Sequence, residues 1–144
     1  ASAKREGMRL ISVIMGTKGD QERARETLSL LNYGFRFYEA HRLHGAGETL
    51  AQTKVWKGTK RDLSLGVASD LGVTVPRGQH AGISTRLEIE PRLVAPVARG
   101  QVVGRVFVEQ GGNVMREAPL VALEEIPLGG WFRRLVDTIL LWFQ

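Results

Sequence analysis

The 144-residue chain contains no cysteine. That excludes a disulfide framework, a zinc–thiolate site and thiol chemistry, and it leaves the redox compartment undecided. Nowhere is there a run of about twenty apolar residues, so no helix of this sequence can span a bilayer. No secretory leader is visible, but the chain starts at Ala1 without a methionine, so this says nothing about export. Catalytic constellations are scarce too. Ser2, Ser12, Ser29, Ser64, Ser69 and Ser84 each lack a lysine three residues on, which excludes a serine-x-x-lysine nucleophile. Lys57-Gly58-Thr59 only scrambles a lysine-threonine-glycine motif and reads as a tight turn. Gly82-Ile83-Ser84-Thr85-Arg86 resembles the start of a nucleophile elbow, but it ends on arginine and lies in a β-rich stretch. His41 and His44 are three apart with no third metal-type ligand near them in sequence, and they read as exposed linker histidines. We therefore expect no metal, no cofactor and no catalytic residue of the chain's own.

A concentrated basic block is also missing. The net charge is +5, but residues 1–40 carry seven basic and five acidic groups, 41–127 eleven and nine, and 128–144 two and one. Lys54, Lys57, Lys60 and Arg61 are the only local cluster, and Asp62 follows at once. A solvated strand edge or turn explains that cluster, and nucleic acid is not an expected partner.

What is present divides into three regions. Met8 to Met15 is a β-branched apolar run ended by Gly16, as for a strand covered on both faces. Before it, Ala1 to Gly7 reads as the end of a neighbouring strand and a turn with Glu6-Gly7 at its tip. Thr17 to Asp20 supply a loop and an N-cap. From Gln21 to Tyr38, Ala24, Leu28, Leu31, Phe35 and Tyr38 recur at spacings of three and four, which predicts an amphipathic helix. One hairpin and one helix cannot enclose a core, so residues 1–40 read as the end of a larger α/β domain.

Residues 41–127 read as short strands. Thr53 to Trp56, Asp62 to Leu65 and Val73 to Val75 are separated by Gly58, Gly66 and Pro76-Arg77-Gly78. Thr85 to Glu90 alternates apolar and polar, giving one buried and one wet face. Val102 to Glu109 and Val114 to Met115 flank Gln110-Gly111-Gly112-Asn113, a strong hairpin turn, and Leu120 to Leu123 is the last strand. Strands at this spacing predict a small antiparallel β-sandwich in a mainly β protein. Val97 to Gly104 echoes the glycine turn of lipoyl or biotinyl carrier domains, but the tip Gly111-Gly112-Asn113 offers no lysine to modify.

The third region, 128–144, follows with Gly129-Gly130 as a joint. On a helical wheel Trp131, Phe132, Leu135, Val136, Ile139, Leu140, Trp142 and Phe143 form one apolar arc of about half the circumference. Arg133, Arg134, Asp137, Thr138 and Gln144 take the other side, with Leu141 the apolar exception. At about 1.5 Å per residue the segment is roughly 21 Å long, too short to span. Aromatics beside an apolar arc, with Arg133 and Arg134 opposite, suit a helix lying in an anionic lipid interface. A core helix docking on its own domain gives the same pattern; the terminal position on a glycine joint favours the membrane surface.

In order and spacing, several segments together resemble the low-molecular-mass penicillin-binding proteins that act as D-alanyl-D-alanine carboxypeptidases. They are Met8 to Gly16 with Gly34-Phe35-Arg36-Phe37; Lys54 to Gly58 with Leu63 to Gly66; and Leu93 to Val97, Val102 to Gly104 and Pro119 to Glu124. The resemblance covers essentially the whole chain. It implies the final hairpin and helix of a transpeptidase-like domain (1–40), a β-sandwich (41–127) and an amphipathic membrane anchor (128–144). It also implies a periplasmic place at the outer face of the cytoplasmic membrane. The partners it implies, peptidoglycan stem peptide and β-lactams, would be bound through an N-terminal portion outside this sequence. The family's acylation motifs are not among these 144 residues. One site residue carries over: Arg23 matches an arginine that, in the family, lies beside the active site and helps bind the substrate's terminal carboxylate.

Overall fold

A computed structural model describes residues 1–130; the expected anchor from Trp131 to Gln144 lies outside the described residues. Glu6 and Gly7 both have positive φ, 47° and 82°. That is the twist a two-residue hairpin needs, and it joins β1 (Ser2–Arg5) to β2 (Met8–Ile11) with Arg5 opposite Met8. Helix α1 (Asp20–Phe37) follows. Leu31 and Phe35 are buried with Met8 in one cluster, and Ala3 and Leu10 pack against it. The expected helical period is therefore present, although Leu28 is exposed and Tyr38 is already extended at the C-cap.

The N-cap falls within Thr17 to Asp20 as expected, at Gly19; it has no side-chain cap, and the Glu22 carboxylate accepts the Lys18 N–H at 2.9 Å. Met8 is buried and Leu10 half-buried in the cluster with α1, while Ile11, Val13 and Met15 are 74%, 71% and 85% exposed in this chain.

The rest of the described residues form strands and the turns between them. In order come β3 (Tyr38–His44), β4 (Thr49–Trp56), β5 (Asp62–Gly66), β6 (Leu71–Pro76), β7 (Ile83–Ile89), β8 (Leu93–Val94), β9 (Val102–Gln110) and β10 (Asn113–Ala122). Six of these form a sheet in the order β7-β9-β10-β5-β4-β8, antiparallel except for the short β4–β8 pairing, while β3 and β6 pair as a second, two-stranded sheet. Register shifts between Val114 and Arg116 and between Leu120 and Val121 bend β10, and bulges of this kind let a sheet curl over its own inner face. Leu63, Leu65, Val106, Val108 and Leu120 are fully buried. Leu63 and Leu65 of β5 and Val106 and Val108 of β9 alternate into this core, whereas Thr85 to Glu90, expected to have a buried face, is only half-buried at Leu87 and Ile89 because β7 is the edge strand of the sheet.

By internal packing the described residues fall into two compact units. One comprises Ala1–His41 with Gly72–Ala81, the other Arg42–Leu71 with residues 82–130. Among the described residues no helix is long and apolar enough to cross a membrane.

Candidate functional site

Arg23 occupies the first turn of α1. Its guanidinium lies 3.2 Å from the Asp20 carboxylate, and both side chains are largely exposed, at 56% and 95%. Such a pair is worth about 0–1 kcal/mol, so it does little to hold the guanidinium in place.

Two polar clusters were not visible as clusters in the sequence. The first belongs to the first unit. Glu39 and His41 are two apart on β3 and therefore share a face; the turn after β6 brings His80 to them. His41 Nε2 is 3.1 Å and His80 Nδ1 3.6 Å from Glu39 Oε1, and the two rings lie 4.9 Å apart between centroids. The His41 contact is short but poorly aligned, leaving the buried Nε2 without a hydrogen-bond partner of good geometry. Contact with His41, the Gly78 N–H and the nearby imidazole charges hold the Glu39 carboxyl below the ordinary glutamate range against the opposing effect of burial. Glu39 also stands on the wall of a cleft of about 350 Å³ that it shares with Arg5, Phe35 and Arg77. Arg77 is fixed there, its side chain donating to the Phe35 carbonyl at 3.0 Å.

The second cluster belongs to the other unit. His44 Nε2 is 3.1 Å from Thr85 Oγ1, and its Nδ1 is 3.3 Å from Glu48 Oε1. Glu48 Oε2 accepts the Gly45 N–H at 2.7 Å, and Asp70 accepts the Ala46 N–H at 2.9 Å. Hydroxyl, imidazole and carboxylate in series resemble a nucleophile relay. Thr85, however, lies within strand β7 rather than on the sharp strand-to-helix turn that lifts a nucleophile clear of the sheet. The arrangement clamps the β3–β4 turn to β7. The Gly45 N–H, followed by His44, holds the Glu48 carboxyl below its ordinary range.

The expectation that His41 and His44 are linker histidines is thereby corrected. Both are on β3, half-buried, and they point into different clusters. The expectation of no third metal-type ligand near them is corrected too, since Glu39 stands two residues before His41 and Glu48 four after His44; His80 and Thr85 were hidden because they arrive from the turn after β6 and from β7. The membrane-facing set expected at Trp131, Phe132, Arg133, Arg134, Leu135, Val136, Ile139, Leu140, Trp142 and Phe143 lies outside the described residues.

A helix is followed by a curled, mainly antiparallel sheet, and the likeness to known proteins concerns this sheet above all. Residues 38–128 match the family described as the penicillin-binding protein 5 C-terminal domain, and the chain belongs to that family. It is 38% identical to the D-alanyl-D-alanine carboxypeptidase DacC of Escherichia coli over 100% of this chain and 36% of that protein. DacA of the same organism is also 38% identical, with the same coverage. The chain thus spans about a third of the length of these relatives. The crystal structure of penicillin binding protein 5 from Haemophilus influenzae is 33% identical. It superposes with a TM-score of 0.77 over 88% of this chain and 37% of that one.

Proposed function

We propose that this chain is the C-terminal part of a periplasmic serine-type D-alanyl-D-alanine carboxypeptidase, serving it as stalk and membrane-surface anchor. The match of residues 38–128 to a penicillin-binding protein's C-terminal domain carries the reading, and relatives named as carboxypeptidases support it. In the whole enzyme a serine of the transpeptidase-like portion is acylated by the peptidoglycan pentapeptide stem. Water then deacylates it, after D-alanine has left. β-Lactams acylate the same serine. The sandwich holds that chemistry off the membrane, and residues 131–144 lie in the plane of an anionic interface. Arg23, charged and accessible, pairs with the substrate's terminal carboxylate, a task suited to a guanidinium.

Penicillin labelling tests the enzymatic part. The chain alone should form no adduct in intact-mass spectrometry, because no serine has the activating lysine; joined to the N-terminal portion of its gene product it should label. Stoichiometric acylation of the chain alone refutes the assignment. In the complete enzyme, Arg23→Ala should cost about 1.5–3 kcal/mol in kcat/KM toward substrates with a free terminal carboxylate. Unchanged kinetics would reduce Arg23 to a surface residue.

Co-sedimentation with anionic vesicles tests the anchor. Binding should require residues 131–144, weaken with salt and fall strongly on Ile139→Asp, which puts a charge at the centre of the apolar arc. A core helix would behave oppositely: deletion would lower the melting temperature, and vesicles would never bind.

A non-catalytic periplasmic β-sandwich module with a membrane-surface helix is the second reading. It is favoured by the lack of any serine-x-x-lysine in the sequence. Failure of the rejoined protein to label would select it.

A further inference from the structure

We propose that Glu39, His41 and His80 form a binding site for a divalent transition-metal ion of the zinc class. The proposal is independent of the carboxypeptidase reading, because all three residues and the turn that positions them belong to one compact unit.

The donor atoms are His41 Nε2, His80 Nδ1 and Glu39 Oε1, and all lie within 4.8 Å of one another. Ligand atoms about 2.0–2.1 Å from a tetrahedral zinc ion stand about 3.3–3.4 Å apart. The two distances from Glu39 Oε1, 3.1 and 3.6 Å, bracket that edge. The third edge, between the imidazole nitrogens, closes by a small rotation of His80, whose side chain is 59% exposed and has room to turn.

A second observation points the same way. His41 Nε2 is buried and faces a carboxylate oxygen, yet it makes no well-aligned hydrogen bond. A nitrogen and an oxygen in contact without a proper hydrogen bond between them are placed as two ligands of one cation are placed.

The backbone around the cluster is organised. Glu39 and His41 sit at i and i+2 on β3, which fixes both on one face. His80 follows a tied turn. The Arg77 N–H donates to the Phe37 carbonyl at 2.9 Å and the Gln79 N–H to the Pro76 carbonyl at 3.0 Å, and Gly78 supplies the positive φ of 80°. The Gly78 N–H donates to Glu39 Oε1 at 3.0 Å. That bond takes one lone pair of the oxygen, leaves another for a metal and orients the carboxylate, as outer-shell donors of metal sites do.

Two imidazoles and one carboxylate suit zinc, cobalt, nickel or copper, and not magnesium or calcium, which prefer oxygen ligands. Three protein ligands leave a fourth position to water. The Arg77 guanidinium lies 3.9 Å from the other Glu39 oxygen, and its charge opposes a second cation. Affinity should accordingly be micromolar, weaker than that of a closed structural zinc site.

The test uses the full 144-residue chain, untagged and stripped with a chelator. Calorimetric titration with Zn²⁺ should show one saturable equivalent, and Zn²⁺ should raise the melting temperature by several degrees; Mg²⁺ should do neither. His80→Ala and Glu39→Gln should each weaken Zn²⁺ binding at least tenfold, whereas His44→Ala, in the other cluster, should bind as the parent does. Histidine ring ¹⁵N shifts on Zn²⁺ addition should move at His41 and His80 and not at His44, a readout on the unaltered chain that does not depend on any variant folding. No saturable Zn²⁺ binding, an undiminished His80→Ala, or ring shifts led by His44 would overturn the site.

Discussion

Some single positions in this chain are decided by backbone contact alone. A Cβ on Gly104 would stand 2.2 Å from the Glu88 carbonyl oxygen, and one on Gly66 the same distance from that of Glu48. Neither obstacle is the movable end of a side chain. Gly104→Ala must therefore push β9 away from β7 and should cost about 1–3 kcal/mol in chemical denaturation; an unchanged midpoint would mean the strands separate freely there. Glu48 gives a pH-dependent counterpart. Its carboxyl titrates below the ordinary range, so the unfolded chain takes up the proton first as pH falls. The contribution of Glu48 is fully present above its unfolded pKa and is lost as pH falls through the lower folded value. Melting temperature should decline over that acid window, and Glu48→Gln should flatten that part of the decline. Arg23→Ala, by contrast, should leave the stability of this chain within about 0.5 kcal/mol, since its ion pair with Asp20 is exposed.

Among the elements, the β9–β10 hairpin is the best specified. Gly111 and Gly112 have φ of 58° and 84°, and Gln110 lies opposite Asn113. This is the two-residue turn whose twist matches the strands it joins. Gly111→Asn should be nearly neutral in thermal melts, while Gly112→Val, β-branched at positive φ, should lower stability by about 1–3 kcal/mol. Strand β10 runs between β9 and β5, and Leu120 on it is fully buried. Leu120→Ala should cost about 2–5 kcal/mol, read from urea midpoints. The elements that sequence periodicity missed were those without a period. Tyr38 to His44 carries alternate half-buried residues, but only Leu43 among them is aliphatic, so β3 was hidden behind the helix that runs straight into it. Val114 to Met115 and Leu120 to Leu123 looked like separate strands because Arg116 to Pro119 is polar or breaking. Pairing with β9 carries one strand through all of Asn113–Ala122.

For the molecule as a whole, one chain contributes two separate segments to each of two compact units, with Gly72–Ala81 returning to the first. Excising 82–130 alone would remove Arg42–Leu71, including strands β4 and β5 of the six-stranded sheet. Such a fragment should show no cooperative melt, whereas residues 38–130, which retain all six strands, should melt cooperatively. Cooperative unfolding of 82–130 by itself would mean that β7, β9 and β10 form an independent core.

The sequence alone determined everything that depends on neighbours along the chain. The hairpin turns at Glu6-Gly7 and Gly111-Gly112 and the helical spacing of Leu31 and Phe35 are local consequences of φ preference and side-chain period. So was family membership, which rests on many such local choices kept in order. Only the tertiary structure decided which polar residues meet. His41 finds Glu39 locally but needs His80 from beyond β6, and His44 needs Thr85 across 41 positions. Contacts of that kind are set by strand order and register, and a residue's own sequence neighbourhood holds no record of which strand will be laid beside it.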